Sequence, residues 1–115
     1  MSFPNILTAL PKRRYQYGEY SVTLLSDINS NDSIDYLYIV AVLREGYNRP
    51  EVYITCEPQK LNDGLTYRIR VISENEEHNI SEDPQWKNEQ NFCEFALQGI
   101  QQMFNLSDEE PIQLS

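Results

Sequence analysis

Residues 36–58, YLYIVAVLREGYNRPEVYITCEP, decide the fold. In an extended chain successive side chains point to opposite faces. Tyr36, Tyr38, Val40 and Val42 therefore share one face of the first half of this stretch, and Leu37, Ile39, Ala41 and Leu43 share the other. Both rows are apolar, so the spacing predicts a central strand over about Asp35–Arg44, covered on both sides. Gly46 to Pro50 then makes a turn, after which Val52, Ile54 and Cys56 alternate with Glu51, Tyr53, Thr55 and Glu57 until Pro58 ends the strand.

The same period extends in both directions. Upstream, Tyr20, Val22 and Leu24 alternate with Glu19, Ser21 and Thr23, with Gly18 marking a bulge at the start and Asp27–Ser33 a polar turn. Downstream, Asn62-Asp63-Gly64 is a turn signal, and Leu65, Tyr67, Ile69 and Val71 alternate with Thr66, Arg68 and Arg70. Strands joined this closely pair antiparallel, since parallel neighbours need long crossovers. The expectation is an α+β fold with a four-stranded antiparallel meander.

Two helices complete that expectation. Phe3, Ile6, Leu7 and Leu10 fall at i, i+3, i+4 and i+7, with Pro4 suited to a first turn and Pro11 ending the pattern, so a short N-terminal helix is predicted. At the other end Asp83 caps a helix opening with Pro84, and Phe92, Cys93, Ala96, Leu97, Ile100, Met103 and Phe104 give it a wide apolar stripe to lay on one face of the sheet. Gly99 interrupts that stripe at about 1 kcal/mol relative to Ala, which predicts a close approach to the sheet. Ser73–Asp83 reads as an acidic loop. Residues 1–106 are expected to form a single domain, and 107–115 an acidic, frayed C-terminal tail.

Composition narrows the classes of function. The chain has 115 residues, 40% hydrophobic and 23% charged, as in an ordinary globular domain. Its net charge of −9 is unevenly placed. Eight basic and eight acidic residues balance over residues 1–73, whereas Lys87 alone faces ten acids over residues 74–115. Such a surface repels nucleic acid and steers basic partners toward itself. No stretch approaches the roughly 18 apolar residues of a membrane span, and Met1–Pro11 lacks the pattern of a secretory signal, so a cytoplasmic location is expected. Cys56 and Cys93 have neither metal-ligand nor redox spacing and read as free, buried thiols.

Reactive chemistry is sparse. His78, the single histidine, sits in the acidic run Glu74-Asn75-Glu76-Glu77-His78-Asn79, whose spacing matches neither a calcium loop nor a zinc motif. Both cysteines fall on core-facing positions, unsuited to a nucleophile. None of the four glycines opens a phosphate-cradling loop, the run Lys12-Arg13-Arg14-Tyr15 balances neighbouring acids, and Trp86 reads as a core plug. No metal or cofactor is called for.

The candidate site is the second face of the sheet. With Leu37, Ile39 and Leu43 turned inward, the outer face collects Tyr36, Tyr38, Tyr53, Arg68 and Arg70, residue types that dominate binding hot spots. These five are the predicted partner-binding residues. Another chain, a second copy or a foreign protein, is the expected cover. The N-terminal helix is the alternative, and pairing of Arg68 and Arg70 with Glu51 or Glu57 would leave an ordinary face. The function expected is thus a non-catalytic binding or adaptor domain, a possible homodimer. A small-molecule site or enzyme pocket between sheet and helix is the second reading, and an acidic inhibitor of a basic partner the third.

Overall fold

The computed structural model describes residues 3–115. Within them the chain forms β1 (Ile6–Tyr17), β2 (Tyr20–Ser30), β3 (Tyr38–Arg44), β4 (Val52–Leu61), β5 (Gly64–Ser73), β6 (Glu77–Glu82), a 3-10 turn over Pro84–Lys87, α1 (Glu89–Met103) and β7 (Ile112–Gln113). The α+β class, the antiparallel sheet and the C-terminal helix agree with the sequence reading. The described residues make a seven-stranded sheet rather than four, ordered β6-β5-β4-β3-β2-β1-β7.

The expected N-terminal helix is instead β1, paired antiparallel with β2. Four apolar residues at helical spacing cannot compete with the backbone hydrogen bonds of a long hairpin closed by the two-residue turn Gly18-Glu19. Gly18 takes φ +59 there, and a Cβ on it would meet Leu106 at 3.0 Å, so the turn requires glycine. Pro11 does not end an element. It sits in β1 beside a register shift, one of three that bend the hairpin. Asp27 in β2 adopts φ 50 in the same irregular zone, a conformation Asp tolerates better than most residues.

Two further segments pair where the sequence predicts none. The acidic run after β5 turns at Ser73, whose N–H donates to the Glu76 carbonyl at 2.9 Å, and returns as β6. Within 107–115, expected to fray, β7 pairs with β1 through Tyr15–Gln113 and Gln16–Ile112. The predicted Asp83-capped helix divides in two. Asp83 accepts from Gln85 N at 2.9 Å to cap the 3-10 turn, and Asn88 accepts from Asn91 N at 3.0 Å to open α1.

Register settles which face is which. Tyr38 pairs with Cys56, Val40 with Ile54 and Val42 with Val52. Directly opposed residues project to the same face of a sheet, so this row of β3 joins the inward row of β4. The main core follows from it: Val22, Leu24, Val40, Val42, Ile54 and Ile69 lie under Phe92, Cys93, Ala96 and Ile100 of α1. Tyr36, Ile39 and Ile72 are buried apart from that core, on the opposite face. The inward assignment of Tyr20, Val22, Leu24, Val52, Ile54, Cys56, Tyr67, Ile69 and Val71 agrees with the sequence reading, whereas Leu65, expected inward with them, is 50% exposed at the start of β5. That of β3 is reversed.

Candidate functional site

The outer face carries a polar cluster built on the β4–β5 pairing. Glu57 lies opposite Arg68, and Thr55 opposite Arg70. Glu57 Oε1 accepts from Arg68 Nη2 at 2.6 Å, and its Oε2 accepts from Arg70 Nε and from the Thr55 hydroxyl, both at 2.6 Å. Arg70 also donates through Nη1 to Glu77 on β6. The Glu57 side chain is 1% exposed and that of Arg70 7%, so these are desolvated, charge-assisted bonds. Burial works against the charge on Arg70, but the hydrogen bonds from Glu57 and Glu77 outweigh it and hold its pKa above the ordinary value. Two carboxylates and two guanidiniums neutralise one another, although the buried Arg68 Nε is left without a hydrogen-bond partner.

The chain itself covers this face. Pro4 is buried, and the Phe3 ring packs on Tyr53 with centroids 5.2 Å apart. Asn31 N donates to the Asn5 carbonyl at 2.8 Å, and Asn5 N to Asp32 Oδ2 at 3.1 Å. Tyr36, buried, donates its hydroxyl to Asp32 at 2.9 Å. Burial raises the pKa of Tyr36, and the hydrogen bond to Asp32 raises it further. The bent β1–β2 hairpin thus brings its open end across the sheet, an extended cover where a helix was one of the expectations.

The five predicted partner-binding residues separate accordingly. Tyr36, Tyr53, Arg68 and Arg70 share the outer face. Tyr38 does not: it stacks on Phe92 at 5.5 Å between centroids, and its hydroxyl donates to the Lys87 carbonyl at 2.7 Å. Tyr38→Glu is therefore expected to lower stability by about 2–3 kcal/mol, through lost packing and a partly desolvated carboxylate. A urea midpoint shift worth less than about half a kcal/mol would place Tyr38 on an exposed face instead.

A second surface has the opposite character. Between β6 and α1 runs an open groove of about 360 Å³ lined by Val71, Ile80, Phe95, Gly99 and Met103, with His78, Gln98 and Gln102 at its rim. Ile80 and Met103 are 43% and 41% exposed, although both are large and apolar. Phe95, Gly99 and Met103 fall at i, i+4 and i+8, one row along the flank of α1 next to its buried stripe. On β6, His78 pairs with Val71, Asn79 with Arg70 and Ser81 with Ile69, which leaves Ile80 as the extra residue of a β-bulge. That bulge serves the groove with an apolar side chain.

Gly99 corrects an expectation. A Cβ on it would meet no atom within 4 Å, so the glycine answers no close approach to the sheet. Its φ is not in the left-handed region either. It sits in mid-helix at a cost of about 1 kcal/mol against alanine and leaves the wall of the groove open. Gly99 stood out in the sequence, but as a close approach to the sheet and not as the wall of a groove. Ile80, inside a run read as a loop, gave no signal.

Comparison with protein-family models, with curated proteins and with solved structures finds no match. The chemistry has to be read from the chain.

Cys56 and Cys93 are both free and buried. Burial, aided by the Glu57 charge, pushes the Cys56 thiol up to about 12, far from the thiolate a nucleophile needs. Its Sγ lies 3.4 Å from the Trp86 carbonyl, and Cys93 Sγ lies 3.5 Å from the Tyr15 hydroxyl. His78 is exposed, 3.1 Å from Glu76 Oε2. Among the described residues, no three His, Cys, Asp or Glu side chains are placed to hold a metal ion, and no helix is long and apolar enough to cross a membrane.

Proposed function

We propose that this chain is a non-catalytic binding domain acting through protein–protein contacts, and that the groove between β6 and α1 is its docking site. The observation that carries the reading is Gly99. A mid-helix glycine that neither φ nor packing requires is a standing cost, and it borders an apolar surface where an incoming side chain gains the space a Cβ would take. The arginines of the outer face are neutralised within the chain, which turns the reading away from that face and toward the groove. A small-molecule site is the second reading, since about 360 Å³ falls within the roughly 300–1,000 Å³ of ligand pockets. The open side of the groove and its few polar groups favour a peptide surface.

Gly99→Leu tests the proposal. The substitution gains helix propensity and meets open space, so it is expected to raise stability by up to about 1 kcal/mol, while its side chain fills the groove. Nile red, a neutral apolar dye, is expected to fluoresce with the wild type and to lose most of that signal with the variant. A fall in melting temperature, or dye binding that ignores the substitution, would contradict the reading.

A further inference from the structure

We infer that the occupant of this groove is a basic amphipathic α-helix of another protein, an inference that rests on the groove being the docking site. Three observations lead there.

The first is charge. Of residues 74–115, Lys87 is the single lysine or arginine, His78 at the groove is paired with Glu76, and Glu74, Glu82 and Glu94 have no ion-pair partner among the described residues. Glu74 and Glu94 lie beside the groove, whereas Glu82, directly opposite Arg68, projects to the outer face. Glu94 lines a shallow depression that shares Phe95 and Gln98 with it, and Glu51, Glu74 and Glu76, against the one cation Arg49, border another beside Phe104 at the far end of α1. An apolar floor with carboxylates at both ends complements apolar side chains flanked by Lys or Arg. A second copy of this chain, itself at net charge −9, would bring like charge to the same place.

The second is the edge. Strand addition requires a continuous row of free backbone groups, and the bulge at Ile80 breaks β6 in the middle. The third is shape. The depressions follow α1 from Asn91 to Phe104, about 20 Å at 1.5 Å per residue. A helix laid alongside presents apolar residues at i, i+3, i+4 and i+7 over such a length.

The opposite edge provides a control. Three other acids of the C-terminal excess, Asp108, Glu109 and Glu110, follow Leu106, which packs by Gly18, and Glu109 and Glu110 raise the pKa of Tyr17 beyond what burial does. One contiguous acidic sequence is thus split between the two edges of the sheet.

Labelled synthetic peptides of about 18 residues, long enough to span the groove, are the probes: a Leu/Lys peptide patterned as a helix, the same composition in strict alternation, and a Leu/Glu helix. Fluorescence anisotropy is expected to show that the helical Leu/Lys peptide binds, that added salt weakens it, and that Gly99→Leu and the pair Glu74→Gln with Glu94→Gln each weaken it about tenfold or more, a factor worth 1.4 kcal/mol. The pair Asp108→Asn with Glu109→Gln removes the same charge at the other edge and is expected to change binding less than about twofold. Tighter binding of the alternating or the acidic peptide, or equal weakening by the two charge pairs, overturns the inference. Failure of the Leu/Lys helix while Nile red binding still responds to Gly99→Leu overturns the basic partner and spares the groove. Failure of both removes the docking site itself.

Discussion

Replacing Glu57 with alanine is expected to cost about 3–5 kcal/mol of stability, the range for removing one partner of a buried ion pair. The carboxylate serves three donors at once: Arg68, Arg70 and Thr55. Its loss strands Arg70, whose side chain is 7% exposed, with only Glu77 to hold it. Total stabilities of small domains are roughly 5–15 kcal/mol, so the variant should be largely unfolded in mild urea. Arg70→Ala should cost more than Arg68→Ala, because the Arg68 side chain is 28% exposed and water can replace part of what it loses. Exchanging the buried set together, Glu57→Leu with Arg70→Met and Thr55→Val, should recover much of the loss, since well-packed apolar replacements of buried ion pairs are often neutral or stabilising. Urea denaturation followed by circular dichroism measures all of these. A loss below about 1 kcal/mol for Glu57→Ala would mean that the outer face is hydrated and its cover open.

Ile100→Asp is expected to abolish folding. Ile100 is fully buried in the middle of the stripe that α1 lays over Val42 and Leu24, and no basic residue belongs to that core cluster. An uncompensated carboxylate there costs several kcal/mol, and the packing lost with the isoleucine adds about 2–5 kcal/mol more. Circular dichroism and a thermal melt decide it, and a cooperative transition near that of the wild type would show that α1 does not cover the sheet. Gly99→Leu, one residue away, is expected to do the opposite, because Ile100 faces the core and Gly99 faces the groove. The contrast between these neighbours is itself a check on how α1 is rotated.

The alternating apolar periods of β2, β4 and β5 and the stripe of α1 were legible because each buries one face, and burial on one face imposes a period. In β3 the sequence marks both rows as apolar, so the period identifies the rows without saying which faces the helix. The preference of tyrosine for a wet edge pointed the wrong way. Tyr38 satisfies its hydroxyl on the Lys87 carbonyl and its ring on Phe92, so it can be partly buried at little cost. Register with β4 decides the matter, and register is a property of two strands that neither shows alone.

β6 and β7 escaped for a different reason. Their side chains are almost all exposed, and what holds them is backbone pairing, which leaves no trace in side-chain pattern. β1 carries a pattern, but its bulges break the period of two, and the remaining apolar spacing mimics a helix. The outer-face residues were found because Arg and Tyr stand out in a strand. That they are used up internally depends on Glu57, which sequence offered only as one of two possible pairs.

The most direct test of the groove as docking site is to follow backbone amide resonances of the ¹⁵N-labelled chain during titration with the helical Leu/Lys peptide. The shifts are expected to map to Ile80, Phe95, Gly99 and Met103, on both walls of the groove, while Thr66 and Gln59 on the covered side of the sheet stay in place. Shifts gathered at Asp108–Glu110 with Gly99 unmoved would contradict the assignment, and would mean that the acidic C-terminal segment, rather than the groove, receives the partner.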